Sequence, residues 1–319
     1  MEYGKIEGLD KKVSRIVFGA AHLPNDNPKE CFKQLDDMYS LGINVFDTAA
    51  VYGGGVNETV LINWVADRAI HDDVIIISKC AHHNRFRKRA NSFDIMSDIS
   101  DALAKPGADY IDIYLMHRDD PSVQVSSIID TMNRLYESGK VKVFGVSNWR
   151  ENRVIEANEY AYKHGLMPFS AVSPQFGLAV QVGEPWSGDS VSLGTDNAET
   201  YRKYILKNNI PVFSYSSLGG GFLSGKFKSN DIQTAKTVLK QGTQVGYFCE
   251  ENFERLRRAE EIAKKKNTTV PVVSLAWVLN QEINTFPIIS VSNKKRMEEN
   301  IKAFDINLTK EEVDWMNLK

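Results

Sequence analysis

Four side chains in this sequence form a set able to deliver a proton: Asp47, Tyr52, Lys79 and His117. Asp47 closes the apolar run INVFD (43–47), Lys79 closes VIIISK (74–79) and His117 closes IDIYLMH (111–117), while Tyr52 follows Asp47 by five residues. A free phenol titrates near ~10, so tyrosine is a poor acid at neutral pH unless a neighbour stabilises its phenolate. A lysine ammonium ~4 Å away, at an effective dielectric of ~20, interacts by ~4 kcal/mol, enough to bring the phenol down by ~2–3 pKa units. Burial alone would tend to neutralise Lys79, and Asp47 would hold its charge. His117 would orient a carbonyl oxygen between itself and Tyr52. The set has no nucleophile beside a base and no pair of carboxylates. It suits protonation of an oxygen while another agent supplies the reducing electrons. Each residue also has a plainer reading: Asp47 as a turn former, Lys79 as the first solvated residue of a loop, His117 as a structural histidine. The functional reading gains weight because three consecutive strands deliver an acid, a base and an imidazole to one face.

The elements that must position these residues follow from alternating patterns. Eight short apolar runs recur: 15–19, 43–47, 74–79, 111–117, 141–147, 170–175, 210–215 and 285–290. Continuous apolar runs of this length suit parallel strands buried on both faces. Between them lie stretches with three- and four-residue periodicity, such as 27–42 and 122–140, stopped by Gly42 and Gly139. Six of the seven gaps between strand ends span 28 to 40 residues, one strand–helix unit each. The seventh, of 75 residues, holds an oversized loop and two further helices, 251–267 and 270–281, and a short segment 308–317 ends the chain. Eight units favour an α/β fold of the (β/α)8 TIM-barrel kind over an open doubly wound sheet. No GxGxxG follows the first strand. With no linker or composition break, residues 1–319 read as a single domain. In such a barrel the C-terminal strand ends carry the chemistry, which adds Ser147, Asn148, Gln175 and Tyr215 to the candidates.

Composition narrows the classes. The 319 residues carry 39 Lys+Arg against 41 Asp+Glu, a net charge of −2, with 42% apolar residues. That balance argues against a dedicated nucleic-acid binder. Three scattered cysteines, Cys31, Cys80 and Cys249, form neither a disulfide framework nor a zinc motif. The first fifteen residues lack a signal-peptide pattern and no apolar run approaches ~20 residues, so a soluble cytoplasmic protein without membrane association is expected.

Taken in order, the motifs resemble the aldo-keto reductase superfamily across essentially the whole chain. INVFDTAAVYGGG (43–55) is similar to its Asp–Tyr signature, IISKC (76–80) to its lysine strand and YLMHRDD (114–120) to its histidine strand. GVSNW (145–149), SPQFGL (173–178), YSSLGGGFLSGK (215–226) and SVSNKKRMEEN (290–300) are similar to its cofactor segments. The resemblance implies reduction of an aldehyde or ketone, with Tyr52 as general acid, Asp47 and Lys79 tuning it and His117 orienting the substrate. It implies that Ser147, Asn148 and Gln175 bond a nicotinamide carboxamide and that Tyr215 stacks on the ring. Ser216, Leu218 and Gly220 would lie along the pyrophosphate, and Ser290, Ser292, Arg296, Glu299 and Asn300 at the adenosine end. An arginine pairs bidentately with phosphate, so Arg296 implies NADPH (NADP+) rather than NADH. Its plainer reading is an exposed charge at a helix start beside Lys294 and Lys295. One departure is Ser290, which stands where relatives usually have Gly or Lys beside the 2′-phosphate.

Pocket walls implied by the resemblance are His22, Phe86, Arg118 with Asp119, Trp149, and Trp186 on the long loop 176–195, which is expected to act as a lid. Its polar and aromatic mix would suit a sugar or another polyhydroxylated carbonyl. The chain ends soon after its last segment, without the long C-terminal loop of many relatives, so an open pocket is expected. The run HHNRFRKR (82–89) reads as a solvated loop, on the face where it would also attract anionic substrates. His82 and His83 are adjacent, poor geometry for a shared metal, and no metal is expected. Gly220–Lys226 matches a phosphate-loop core formally, but Phe227 stands where Ser or Thr should bind magnesium. Two other activities share these residues: alcohol oxidation, and a cofactor-binding regulatory subunit that senses redox state for a partner.

Overall fold

The computed structural model describes residues 1–24, 27–186 and 188–319. A short antiparallel hairpin, β1 (Tyr3–Gly4) and β2 (Val13–Ser14), precedes eight strands. These are β3 (Val17–Gly19), β4 (Val45–Asp47), β5 (Ile75–Cys80), β6 (Ile111–Met116), β7 (Val141–Ser147), β8 (Val172–Ser173), β9 (Val212–Ser214) and β10 (Thr285–Ile289). They close a parallel barrel in the order β10-β3-β4-β5-β6-β7-β8-β9, the (β/α)8 architecture expected from the spacing. Seven fall inside the apolar runs read from the sequence, and β5 passes the end of its run by one residue, Cys80. Most strands are shorter than their runs because the terminal residues of a run still pack apolar surface after ladder pairing has ended.

Contacts divide the chain into two compact units, residues 1–173 with 292–294 and residues 174–291 with 295–319. In the first, helices α1 (Pro28–Tyr39), α2 (Val56–Arg68), α3 (Ser92–Leu103), α4 (Val125–Glu137) and α5 (Glu151–Lys163) follow the strands. Asn27 and Asn91 cap α1 and α3 by accepting from the backbone N–H of Glu30 and Asp94. Gly42 and Gly139 take φ of +83° and +71°, as stops after helices require. Lys11, in the hairpin connection just before β2, donates to the carbonyls of His71 (2.6 Å) and Val74 (2.7 Å) and to Asp112 Oδ1 (2.7 Å). Asp112 on β6 also accepts from Ile76 N on β5 at 2.9 Å, so one buried carboxylate joins the N-terminal segment to two strands.

The second unit holds α6 (Glu199–Lys207), α7 (Ile232–Val238), α8 (Gln241–Tyr247), α9 (Glu250–Lys265), α10 (Val270–Leu279), α11 (Lys294–Ile301, from its second residue) and α12 (Lys310–Met316). Helix α10 is apolar nearly all round and buried nearly all round. Thr309 and Glu312 form a reciprocal capping box on α12. Helices α7 and α8 occupy what the sequence suggested was an oversized loop.

Gly145 leaves no room for a side chain. A Cβ there would lie 1.9 Å from the Ala171 carbonyl oxygen, because β7 passes directly against the chain entering β8. At Gly139, by contrast, an added Cβ meets nothing within 4 Å and only the left-handed φ resists it. Gly145→Ala is therefore expected to cost more than ~2 kcal/mol by overpacking against backbone that cannot yield. Gly139→Ala should cost about 1 kcal/mol, from conformation alone. Urea denaturation midpoints of the two variants check the ranking, and equal shifts would refute it.

Candidate active site

Strand register places the proton-handling group in the first unit. In the β4–β5 pair Asp47 stands opposite Ile77. Side chains alternate faces along a strand, so Lys79, two residues beyond Ile77, shares the face of Asp47. In the β5–β6 pair Lys79 stands opposite Leu115, and two residues beyond that lies His117, whose N–H donates to the Cys80 carbonyl at 2.8 Å. Thr48 N and Ala50 N donate to the carbonyls of Ile77 (2.8 Å) and Lys79 (3.1 Å), leading the chain after Asp47 along β5. Tyr52 then opens a tight 3-10 turn through Gly53, Gly54 and Gly55, at φ of +58°, +66° and +93°. Three successive left-handed residues require glycine, which is the local reason for the YGGG sequence.

The result is a compact cluster. Lys79 Nζ lies 2.5 Å from Asp47 Oδ2, 2.8 Å from the Thr48 carbonyl and 3.4 Å from the Tyr52 hydroxyl. The side chains of Lys79 and Asp47 are only 3% and 5% exposed. The Tyr52 and His117 rings meet edge to face, with centroids 5.6 Å apart. Burial opposes the charge on Lys79, but Asp47 and Tyr52 outweigh it and hold the ammonium above its ordinary value. Burial also lifts the Asp47 carboxyl, against the pull of Lys79. His117 is held well below the ordinary imidazole range by burial and then by the Lys79 charge, so its ring is neutral at pH 7. The expectation of a lowered Tyr52 phenol is not met. Loss of hydration raises it, and the opposing pull of Lys79, partly undone by Asp47, leaves it above 10.

The other candidates of this unit are placed as follows. Ser147 and Asn148 are buried at the end of β7; Ser147 Oγ donates to the Ser173 carbonyl at 2.8 Å and receives Asn148 Nδ2 at 3.0 Å. Asn148 Nδ2 also reaches the His117 carbonyl at 3.5 Å. Arg118 is half-buried, and its charge acts on Tyr52, His117, His82 and His83. Trp149 is fully buried against Phe169, ring centroids 5.3 Å apart. His22 is exposed at the end of a 3-10 turn, and Phe86 is 78% exposed with the Arg85 guanidinium 4.5 Å from its ring centre. Ser292 is exposed. The basic run 82–89 is largely committed to its own carboxylates. Arg87 bonds Asp94 at 2.5 Å, Arg89 bonds Asp94 at 3.1 Å and Asp98 at 2.6 Å, and Lys88 lies 3.7 Å from Asp120.

In the second unit Gln175 is fully buried and bridges toward both Ser192 and Tyr215. Its Oε1 accepts from Ser192 Oγ at 2.5 Å, whereas its Nε2 has no hydrogen-bond partner in the protein. The buried Tyr247 hydroxyl stands beside Ser216 and Gln175 without closing a hydrogen bond to either. Tyr215 is half-buried, with the Trp186 ring edge-on at 5.6 Å. Trp186 is 45% exposed on a loop whose Glu184 carboxylate accepts from Trp186 N at 3.2 Å and Ser190 N at 2.8 Å. Residue 187 of the loop expected as a lid lies outside the described residues. Leu218 is half-buried; Gly220 is exposed at φ +61° and its carbonyl accepts from Thr243 Oγ1 at 3.1 Å. Ser290 and Arg296 are exposed, Glu299 is intermediate and Asn300 is buried.

Backbone strain marks two of these positions, Asn148 and Ser216, and one further residue, Ala81. Among the described residues seven non-glycine residues have left-handed φ. Ala69, Asn209, Asn267 and Leu318 follow helices, where a left-handed residue is a common stop. Ala81 (φ +59°), Asn148 (+58°) and Ser216 (+50°) instead follow β5, β7 and β9. Strained residues of this kind gather at functional sites. Ala81 was not among the residues singled out from the sequence, since alanine carries no sign of an unusual φ. Among the described residues no group of three His, Cys, Asp or Glu could hold a metal ion, and no helix is long and apolar enough to cross a membrane.

A family model described as Aldo/keto reductase family matches residues 15–317. A putative aryl-alcohol dehydrogenase of Schizosaccharomyces pombe is 24% identical, covering 98% of this chain and 94% of its own. The same organism's aldo-keto reductase yakc [NADP(+)] is 25% identical over 84% of this chain and 76% of its own. A crystal structure of the thermostable aldo-keto reductase Tm1743 with the inhibitor epalrestat superposes with a TM-score of 0.74. It shares 20% identity and covers 100% of this chain and 99% of that one, so it speaks to the fold.

The ion pairs of the 82–98 segment carry a pH signature. Arg87, with Asn91 and Arg89, holds the Asp94 carboxyl down to about 2, against an ordinary value of 3.8. A depressed carboxyl contributes stability that is fully present above its unfolded value and is lost as pH falls through the folded one. Asp94→Asn should therefore lower the melting temperature relative to the parent at pH 5. The gap should close between pH ~4 and ~2. A gap independent of pH would show that the variant acts through packing instead.

Proposed function

Because the chain belongs to the aldo/keto reductase family, we propose that it reduces an aldehyde or ketone to the alcohol, using NADPH and a proton held on Tyr52. The observation that carries the reading is the buried Asp47–Lys79–Tyr52 chain of contacts, closed by a neutral His117 edge-on to the phenol. The buried Gln175 amide, with its oxygen fixed by Ser192 and its nitrogen unpartnered, fits the amide-to-amide bonding that a nicotinamide carboxamide requires. Ser147, Asn148, Gln175 and Tyr215 would hold that end. Ser216, Leu218 and Gly220 would follow the pyrophosphate, and Ser290, Ser292, Arg296, Glu299 and Asn300 the adenosine.

A bound nicotinamide supplies the hydride that such a reduction needs. The chain's own residues supply the proton and its control. A phenol above its ordinary value keeps its proton at rest, yet it can still protonate a developing alkoxide, whose basicity is comparable to that of hydroxide, since water itself titrates near ~15.7. The phenolate left behind is stabilised by Lys79 Nζ, 3.4 Å from the oxygen. At an effective dielectric of ~20 that attraction is about 5 kcal/mol. Asp47 keeps Lys79 charged throughout. His117, as a neutral ring, can donate one N–H to the carbonyl oxygen without competing for the proton. The pocket-wall assignment of His22, Phe86, Arg118, Trp149 and Trp186 belongs to the same proposal. So does a substrate that is aromatic, as the name of the aryl-alcohol dehydrogenase relative suggests, or polyhydroxylated.

A panel of aromatic aldehydes, ketones and sugars, followed with NADPH and NADH, tests the reading. Steady NADPH consumption is expected, and its complete absence would favour a cofactor-binding redox sensor. Tyr52→Phe should lower kcat by ~10²–10⁴-fold while NADPH binding, followed by fluorescence, stays nearly intact. Undiminished turnover would remove Tyr52 as the acid. For the cofactor, Arg296→Ala should weaken NADPH binding far more than NADH binding, because only NADPH carries the 2′-phosphate that a guanidinium pairs with. Equal losses would displace that assignment.

A further inference from the structure

His117 has an unusual support. Its Nδ1 is buried and has no hydrogen-bond partner in the protein, so no donor or acceptor fixes the rotation of the imidazole from that side. The second torsion of a histidine is broad and roughly two-fold, which leaves packing to choose the ring orientation. Two rings do that packing. Tyr52 meets His117 edge-on at 5.6 Å, and His82 meets it edge-on at 4.6 Å with an interplanar angle of 78°. His82 is itself held in place. The preceding Ala81 takes a left-handed φ of +59° and donates its N–H to Asp98 Oδ2 at 2.8 Å. Asp98 is gripped from the other side by Arg89 at 2.6 Å. The His82 Nδ1–H donates to the His83 carbonyl at 2.8 Å, and the His83 ring lies against it, tilted by 34° with centroids 4.3 Å apart.

We propose that His82 is a positioning residue for the carbonyl reduction: its ring, aimed by the strained Ala81 backbone, sets the rotation at which His117 meets the substrate oxygen. This rests on the reading given under Proposed function. The aim comes at a conformational cost, since a left-handed alanine persists only where its surroundings over-determine it. Burial holds both His82 and His117 below the ordinary imidazole value, so the two rings meet as neutral groups and their contact is one of shape. Shape, not hydrogen bonding, is therefore what a replacement must restore.

The test compares His82→Ala, His82→Gln and His82→Phe with the parent, each first shown to bind NADPH and to melt at the parent temperature. Misplacing a reacting group by ~1 Å costs up to ~10²-fold, so Ala and Gln should lower kcat by ~10-fold or more with little change in KM. Phenylalanine restores an aromatic edge and should remain within ~3-fold of the parent on the same grounds. A second readout needs no turnover. In protein labelled with 15N-histidine, the His117 ring nitrogens, identified by their loss in His117→Asn, should give one sharp set in the parent and in His82→Phe. The set should shift or broaden in His82→Ala. Parent kcat in the Ala variant, equal losses in Ala and Phe, or His117 signals unmoved by Ala would each overturn the proposal. If the parent reduces no carbonyl at all, the reaction reading fails, and the ring-nitrogen comparison still decides whether His82 orients His117.

Discussion

A lysine ammonium almost fully removed from water must be paired, and much of the local structure in residues 43–117 follows from pairing Lys79. Stripping an ion of water costs several kcal/mol even after relaxation, and only close, well-aligned partners offset it. Lys79 has three: the Asp47 carboxylate, the Thr48 carbonyl and the Tyr52 hydroxyl. All three come from the strand end and turn following β4, so the β4–β5 register is as much an electrostatic requirement as a packing one. A one-residue slip would turn Asp47 away from Lys79 and leave two buried charges unpaired. The hydrogen bond from Ala50 N to the Lys79 carbonyl then fixes how far the chain runs before the glycine turn at Tyr52.

The same pairing explains why this cluster cannot be adjusted piecemeal. Removing one member of a buried ion pair leaves the other uncompensated, typically at a cost of ~3–5 kcal/mol, whereas the intact pair is near neutral against an apolar substitute. Stability therefore does not account for its presence. What the pair does supply is a fixed positive charge beside the one phenol in the cluster, which adds to burial in keeping the nearby imidazole neutral. The phenol resting above its ordinary value changes the simple picture of a lysine-acidified tyrosine. In the proposed reduction Lys79 would contribute when negative charge develops on the oxygen, not before, which is how a stabilising group accelerates a step instead of merely binding its starting state.

How much of this could be read from residues alone depends on what carried the information. The eight strands were legible because strands buried on both faces are written as unbroken apolar runs. The four central side chains were legible because each ends or follows such a run. Helices α7 and α8 were not: IQTAKTV and QGTQVGY bury only Ala235 in the first and Gly246 and Tyr247 in the second, too few to set up a period. The raised Tyr52 phenol was missed because the loss of hydration around it depends on the folded surroundings, while spacing revealed only the lysine. Ala81 was illegible for a different reason. Its left-handed backbone is stabilised by Asp98, seventeen residues away, and alanine gives no compositional hint of it.

The basic run 82–89 shows how charge in a sequence differs from charge in a fold. As a string it reads as a positive field. In the structure Arg87, Lys88 and Arg89 are bound over a few ångströms to Asp94, Asp120 and Asp98, where opposite charges largely cancel at the distance of an approaching ligand. What these pairs retain is mechanical. The Asp94 carboxylate accepts from Arg87, Arg89 and Asn91 while its backbone N–H donates to the capping Asn91 Oδ1, and Asp98 accepts from both Arg89 and Ala81, so α3 and the segment before it form one braced frame. A loop of this composition would otherwise be mobile, because few apolar contacts hold it. Braced, it can keep a strained residue and present His82 at a fixed angle. The cations of this run thus act on the site through the rigidity of the backbone that carries an imidazole to its edge.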